Sequence, residues 1–297
     1  MIKNQKKATL FALTAVLMWS TVASAFKITL SYFSPLQMLL VSSFTTIMVL
    51  TFICFFQTKL HLLKTVFLKR PLFYLLMGII NPFLYYLILF QAYNLLPAQQ
   101  AQSLNYTWAI ALSVLAVPFL GQKLTKNDIA AIFLGYMGVL IIATKGNLLA
   151  LNFDSSLGVF LALLSTLLWA MYWILNSKNT ADPIVSLLLC FLLGFPTILI
   201  ATPIFSDFTM HSWQGWLGAI YIGFFEMGFA FVAWLSALRY AENTAKISNL
   251  IFVSPFISLL LLNWIIKEPI YPATIIGLVM IISGLIIQQM RRKKVEQ

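Results

Sequence analysis

Charged side chains are scarce in this sequence. Only 9% of its 297 residues are Asp, Glu, Lys or Arg, whereas 61% are hydrophobic. Soluble domains carry about 25% charged residues, so a soluble fold of this size is excluded and a bilayer must solvate most of the chain. We predict an all-α membrane protein. Because each spanning helix needs about 20 residues, the length allows ten helices and leaves little chain for a soluble domain.

Cysteine, histidine and catalytic motifs are also scarce. Cys54 and Cys190 lie within apolar runs and give no indication of a disulfide framework, a metal site or a redox pair. His61 and His211 fall in loops on opposite faces and cannot share a metal ion. No phosphate-binding glycine loop, HExxH or GxSxG pattern is present. We therefore expect no metal, no cofactor, no enzymatic activity and no transport driven by ATP bound to this chain.

The apolar residues fall into ten runs of spanning length. Pro82 and Pro255 lie inside the third and ninth runs, where we expect them to kink the helix by removing a backbone hydrogen bond. The first run resembles a signal peptide that ends at the small residues 23–25, but it is long for one and has a counterpart later in the chain, so we keep it as a helix. The predicted spans are 8–29, 35–56, 71–92, 98–119, 128–144, 156–176, 183–205, 212–237, 243–266 and 272–289.

The basic residues indicate the orientation. Loops on the cytoplasmic side of a membrane protein carry an excess of Lys and Arg. With both termini on that side, only Lys27, Lys145 and Lys267 of the 19 basic residues fall on the other side. A wrong number of helices would scramble this bias, so it supports ten spans. The net charge of +11 therefore belongs to the loops, and we expect no nucleic-acid partner. We expect the basic cluster Arg291–Lys294 to contact anionic lipid.

The two halves of the chain resemble each other. A shift of 145 aligns Gly78 with Gly223 and Asn81 with Glu226, and a shift of 146 aligns Gly138 with Gly284. We predict a first repeat at 1–150 and a second at 151–297; chance similarity between two helix bundles rich in Leu and Gly is the alternative. Five helices is an odd number, so the two repeats must have opposite orientations. Inverted repeats are typical of transporters, whose binding site lies near the midplane between them.

Glu226 is a carboxylate near the middle of the eighth run. An ionisable group at bilayer depth costs a few kcal/mol on insertion scales, so it is a functional-site candidate by default. It could exchange protons or anchor a cationic group such as a substrate ammonium. The alternative is a neutral carboxylic acid whose one hydrogen bond joins two helices.

Other polar and aromatic residues lie within the runs. Trp19, Trp108 and Trp169 lie near mid-helix and could form a stacking wall for an apolar or aromatic substrate, or fill the core. The polar side chains could bind a carboxylate or an amine, or join helices. The residues that we expect to bind substrate or couple transport are Glu226, Asn81, Trp19, Trp108, Asn105, Tyr106, Trp169, Tyr85, Ser248 and Asn249. We expect Glu268, by contrast, to cap the outer end of the ninth helix.

Several short motifs resemble those of a known family. These are Trp19-Ser20-Thr21, Asn105-Tyr106-Thr107-Trp108, Gly121-Gln122-Lys123, Met227-Gly228-Phe229-Ala230 and Lys267-Glu268-Pro269. With them the whole chain resembles the drug/metabolite transporter superfamily and is similar to the EamA group of ten-helix bacterial transporters, which includes aromatic amino-acid exporters. The resemblance implies ten transmembrane helices as two inverted five-helix repeats around a central cavity. Gln122, where family members often carry an acid, departs from the pattern.

We therefore expect a secondary active or facilitative transporter in a bacterial cytoplasmic (inner) membrane, with both termini cytoplasmic. It would export small metabolites such as amino acids by alternating access, driven by the substrate gradient or by protons through Glu226. The alternatives are a multidrug exporter and a transport-inactive membrane scaffold or sensor with the same fold. The expected partners are a small-molecule substrate, protons and membrane lipid, and a homodimer is left open.

Overall fold

The computed structural model describes residues 3–148 and 153–295 of the chain. The structure is 83% helical, and the described residues contain no strand. The predicted repeat boundary at 150 and the side chains of the basic cluster at 291–294 lie outside what is described. The spanning helices are α1 (Gln5–Leu30), α2 (Pro35–Phe56), α3 (Pro71–Leu95), α4 (Ala98–Leu120), α5 (Lys126–Ala143), α6 (Ser156–Ser177), α7 (Pro183–Phe205), α8 (Trp213–Tyr240), α9 (residues 244–266) and α10 (Pro272–Val295).

These bounds confirm the predicted all-α fold. Each predicted run coincides with a helix to within a few residues. Nine of the described helices are long and apolar enough to cross a membrane, and the apolar part of the tenth, Pro272–Gln288, is shorter. A short helix at Leu62–Lys69, between α2 and α3, was not predicted.

Side-chain caps explain where several helices begin. Ser34 and Gln37 form a reciprocal capping box at the start of α2, with Pro35 at the first helical position. Thr125 and Asp128 form a second capping box at the start of α5. Each box satisfies two backbone N–H groups that the helix itself leaves unpaired, which matters because lipid offers no partners for them.

The helices group into two compact units. The first comprises Met1–Phe90 and Thr180–Ile266, and the second comprises Gln91–Asn179 and Lys267–Gln297. The first unit therefore holds α1, α2, most of α3, and α7 to α9, and the second holds α4 to α6 and α10. Each unit draws helices from both halves of the chain, so packing divides the chain differently from the sequence repeat. The repeat boundary stays a prediction.

The contact between α5 and α10, in the second unit, shows the inversion directly. A methyl carbon added to Gly138 would lie 2.5 Å from the carbonyl oxygen of Gly277, and one added to Gly284 would lie 3.0 Å from the carbonyl oxygen of Ala131. As the residue number rises along α5, it falls along α10, so the two helices are antiparallel. They are the fifth helices of the two predicted repeats, which is the relation expected of an inverted pair.

The first unit repeats this symmetry with other helices. Gly78 of α3 packs so closely on α7 that an added methyl carbon would lie 2.7 Å from the carbonyl oxygen of Cys190. Its repeat partner Gly223 of α8 packs in the same way on α2. A methyl carbon added to Gly223 would lie 2.5 Å from the carbonyl oxygen of Ser42. The pairs α3–α7 and α8–α2 are therefore equivalent, as small residues at helix crossings in membranes allow.

The α5–α10 contact gives a stability prediction. Gly277→Ala places a carbon 2.5 Å from the backbone of α5, which side-chain rotation cannot relieve. We expect a loss of about 1–3 kcal/mol, as overpacking of a core costs. Val279→Ile, which adds one carbon on the same helix at a position 47% exposed, is the control. The measurement is thermal unfolding in detergent, and equal transition temperatures for the two variants would contradict the close contact.

Helices α2 and α7 are tied at both ends, with different chemistry. At one end the Oγ atoms of Ser34 and Ser206 lie 2.7 Å apart, and Gln37 Nε2 donates to Asp207 Oδ1 at 2.7 Å. At the other end Asp182 forms ion pairs with Lys59 at 2.8 Å and Arg239 at 3.2 Å.

Asp182 also caps α7, since its Oδ1 accepts the backbone N–H groups of Ile184 and Val185. Burial alone would raise the pKa of Asp182, but the hydrogen bonds from Lys59 and from the backbone of Val185 and Ile184 outweigh it and hold the pKa below its ordinary value. One carboxylate thus joins the loops at the ends of α2, α7 and α8.

This arrangement predicts a pH-dependent stability difference. Because the pKa of Asp182 is lowered on folding, its contribution is present at neutral pH and is lost as the pH falls through the lowered value. Asp182→Asn keeps the cap but removes the charge. We expect it to lower the transition temperature at neutral pH by about 2–4 °C, for a loss of about 1 kcal/mol.

The difference between wild type and Asp182→Asn should disappear on acidification. Glu242→Gln, an acid-to-amide change at an exposed position after α8, is the control and should show little difference at any pH. A constant difference between Asp182→Asn and wild type from neutral to acid pH would contradict the charge-based account.

Candidate functional site

The candidate site lies in the first unit, where α8 departs from the α-helical backbone. Residues Ile222–Phe229, which include Glu226, form a π-helical segment. In such a segment each N–H bonds to the carbonyl five residues earlier, so the turn is wider. Gly223 and Gly228 are spaced by one such turn. Short π segments inside α-helices are frequent at functional sites.

A second irregular segment contains the repeat partner of Glu226. Residues Ile79–Leu84 of α3 are also π-helical, and Asn81 has φ −141° and ψ 113°, well outside the helical region. Pro82 explains this break, because it has no N–H and pushes the preceding residue toward extended geometry. The predicted kink at Pro82 is confirmed. The irregular segment in α8 contains no proline, and no pattern in its residues indicates it.

Helices α4 and α9 are interrupted as well, at positions about 145 residues apart. In α4 the α-helix stops at Asn105 and resumes at Trp108. In α9 residues Leu250–Val253 form a 3-10 helix directly before Ser254-Pro255, which confirms the irregularity predicted at Pro255. Four spanning helices thus depart from α geometry, in two pairs that the repeat relates.

Glu226 has an aromatic environment. Tyr86 Oη donates to Glu226 Oε1 at 3.4 Å, and Trp19 Nε1 donates to the Glu226 backbone oxygen at 3.4 Å. Trp19 in turn packs edge-on against Phe231, with ring centroids 5.8 Å apart, and tilted against Trp234 at 5.5 Å. Glu226 itself is half-buried. Trp19 thus contacts the backbone of Glu226, and its role in a substrate site stays a prediction.

Asn81 is completely buried, and neither its amide nitrogen nor its amide oxygen has a hydrogen-bond partner. Leaving a buried polar atom unpaired costs about 1–3 kcal/mol, so each such group calls for an explanation. A ligand or a water molecule that bonds to the amide would supply one.

The tyrosine that reaches Glu226 is Tyr86 and not the predicted Tyr85. Tyr85 lies four residues after Asn81, close to the spacing of one α-helical turn, but the helix is broken at Asn81, so this spacing does not apply. Tyr85 is buried and packs against Tyr86, with ring centroids 4.8 Å apart.

The remaining predicted residues lie elsewhere. Ser248 and Asn249 belong to the first unit, in the short helical segment Thr244–Asn249 of α9, and Asn249 is exposed. Asn105, Tyr106, Trp108 and Trp169 belong to the second unit. Their grouping with Glu226 around one cavity stays a prediction.

Within the second unit the contacts of these residues are specific. Asn105 Nδ2 donates to Ser165 Oγ at 3.0 Å, which joins α4 to α6 and favours the interhelical interpretation for this residue. Trp169 is buried and stacks on Tyr172, with ring centroids 5.4 Å apart. Trp108 is half-buried at the point where α4 resumes.

We predicted that Glu268 caps the end of α9, but its carboxylate caps the start of α4. Its two carboxylate oxygens accept the backbone N–H groups of Ala98 and Gln99, each at 3.0 Å. A carboxylate at a helix N-terminus is favoured both by these unpaired donors and by the helix dipole. The role is structural, as expected, but the partner is another helix. Among the described residues, no group of three or more His, Cys, Asp or Glu is placed to hold a metal ion.

This fold defines an integral membrane protein built from two helical repeats. The sequence pattern of the EamA-like transporter family matches residues 6–144 and again residues 156–288, so the chain belongs to that family. The double match confirms the two-repeat arrangement.

Relatives and a solved structure extend the comparison. "Uncharacterized transporter YvbV" of Bacillus subtilis (strain 168) is 24% identical over 284 residues, which cover 94% of this chain and 90% of that protein. "Uncharacterized transporter in sor 3'region" of Acidianus ambivalens is 27% identical over 172 residues, 57% of this chain and 66% of that protein. A crystal structure 19% identical in sequence superimposes with a TM-score of 0.71 over 99% of this chain and 100% of the other, and shows that the fold is shared.

The contact between Tyr86 and Glu226 predicts a difference between neighbouring tyrosines. Tyr86→Phe removes a hydrogen bond to a charged group, worth about 1.5 kcal/mol at the weak end, so we expect about a tenfold loss in substrate affinity. Tyr85→Phe is the matched control, because it removes the hydroxyl of the neighbouring tyrosine on the same helix. Affinity is measured by substrate-induced thermal stabilisation. Equal losses in the two variants would contradict a specific role for Tyr86.

Proposed function

We propose that this membrane transporter is a secondary transporter that exports small metabolites carrying an amino group, such as amino acids, by alternating access. Glu226 exchanges a proton for the substrate ammonium. The observation that carries the proposal is a carboxylate in the π-helical segment of α8, bonded through its side chain to a tyrosine. A carboxylate at bilayer depth needs a positive counter-charge, which either a proton or an ammonium group supplies.

A proton and the substrate ammonium cannot bind the Glu226 carboxylate at the same time, and this competition alone would exchange one for the other. The ammonium displaces the proton on one side of the membrane, and a proton displaces the ammonium on the other. Tyr86 from α3 contacts the carboxylate, and the hydroxyl of Tyr221, five residues before Glu226 on α8, lies 2.7 Å from Thr21 Oγ1. Glu226 is the carboxylate of this segment, so we assign to it the coupling of transport to the proton gradient.

The basic residues indicate how the protein is oriented in the membrane. With 16 of the 19 basic residues on one side, the termini are cytoplasmic and α8 runs from the outer face inward. The membrane of the proposal is a bacterial cytoplasmic membrane, and the breaks in α3, α8 and α9 of the first unit supply points at which helices can bend during alternating access.

Transport by reconstituted protein tests this function. Glu226→Gln keeps the size and polarity of the side chain but cannot exchange a proton, so we expect the proton-driven efflux of amino acids from proteoliposomes to fall by about a hundredfold, the scale set by losing a buried ion pair. Glu242→Gln, the matched change outside the membrane, should leave efflux unchanged.

Two results would contradict the proposal. Full activity of Glu226→Gln with unchanged pH dependence would exclude the proton role. No saturable flux of any compound in a panel of amino acids and amines would favour a transport-inactive scaffold or sensor. The compounds of this panel are chosen by a growth-toxicity screen of cells that overexpress either wild type or Glu226→Gln.

A further inference from the structure

We infer that the Glu226 site selects a net-cationic amine without a carboxylate, such as an aralkyl amine, over the corresponding zwitterionic amino acid. The inference rests on the proposed function and specifies its substrate class. It follows from the charge, the aromatic rings and the unpaired amide of this site.

Glu226 is the charged side chain of its surroundings, and the neighbours described below carry no positive charge. The π-helical segment of α8 packs against α1 and α2, and Tyr86 reaches it from α3. Three side chains bond to this part of α8: Trp19 from α1, Thr46, whose Oγ1 donates to the Gly223 backbone oxygen at 3.1 Å, and Tyr86. Thr45 and Val49 of α2 pack against its glycines. None of these described neighbours is basic.

Basic residues are also absent from the middle of the ten predicted runs. Lys27 and Lys246 are the only Lys or Arg residues within the ten predicted runs. Lys27 lies in the last turn of α1, and Lys246 in the first turns of α9. Glu226 lies thirteen residues from the start of α8, well away from either helix end.

A charge balance then distinguishes the two classes of substrate. A monovalent amine neutralises Glu226 and leaves the occupied site uncharged. A zwitterion brings its own carboxylate, so the occupied site keeps one net negative charge that no basic side chain balances. A buried charge without a partner is strongly unfavourable. Asn81 can donate a hydrogen bond to that carboxylate, but a neutral amide does not cancel its charge.

The aromatic rings favour an organic cation over a small hydrated one. Trp19 and Tyr86 both contact Glu226, and each belongs to a larger aromatic group: Trp19 with Phe231 and Trp234, Tyr86 with Phe90 at 5.5 Å between ring centroids. Aromatic faces attract ammonium groups that have lost their water, most strongly when an indole is present. The same rings stack on an aromatic substituent of the substrate.

Asn81 completes the recognition. Its amide is fully buried and both of its polar atoms are unpaired. By the repeat it is the counterpart of Glu226, and it lies five residues before Tyr86, which contacts Glu226. A second N–H of the amine is a donor that the amide oxygen can accept.

The test uses three compounds that share a phenyl ring and a primary amine. These are 2-phenylethylamine, phenylalanine methyl ester and phenylalanine, and of the three only phenylalanine carries a carboxylate. In counterflow with wild-type proteoliposomes at neutral pH, we expect kcat/KM for the amine and the ester to exceed that for phenylalanine at least tenfold. In Glu226→Gln the preference should disappear, whereas Glu242→Gln should keep it.

Folding of each variant is checked by its elution and thermal transition in detergent, and Glu226→Asp, which keeps the charge, should keep the preference for the amine at reduced rate. Phenylalanine exchanged as fast as 2-phenylethylamine, with Glu226 still required, would overturn the inference and leave the proposed function intact. A preference for the amine that persists in Glu226→Gln would also overturn it. Failure of the proposed function shows instead as amino-acid and amine fluxes that do not depend on Glu226.

Discussion

In a bilayer every backbone N–H and C=O must find its partner within the protein, because lipid offers none. Each departure from the α-helix therefore carries a cost that neighbouring groups must offset. Within the described residues, four spanning helices make such departures, α3, α4, α8 and α9, and the repeat relates them in pairs. Their pairing indicates that they belong to the architecture and are not accidents of local sequence.

The irregular helices are held by a regular frame. Helices α2 and α7 are joined at both ends, and each packs against one of the π-helical segments: α2 against α8, and α7 against α3. Close backbone contacts at Gly223 and Gly78 hold the two irregular segments against this frame. Glu226 and Asn81 correspond in the repeat but differ in charge and in backbone conformation, so the two halves are not equivalent there.

The helices could be predicted from the sequence because the bilayer imposes a simple rule of length and hydrophobicity, and all ten runs coincide with helices. Prolines 82 and 255 marked two of the four breaks. The break in α8 could not be predicted, since Gly and aromatic residues fit α and π backbones alike. Tyr86 was missed because the helix is broken at Asn81, where α-helical spacing does not apply. The grouping of helices into units was also out of reach, because the repeat predicts which helices are equivalent but not which of them pack together.

The contact between α5 and α10 is not uniform along its length. An added methyl carbon would lie 2.5 Å from the partner backbone at Gly138 and 3.0 Å at Gly284, although the two contacts are equivalent by the repeat. One contact joins two glycines, whereas the other joins a glycine to Ala131, whose side chain holds the backbones further apart. The two helices therefore approach most closely at Gly138 and Gly277 and less closely at Ala131 and Gly284, about two helical turns away. A relative rotation of these two helices would have its pivot at the glycine pair and its largest displacement toward Ala131.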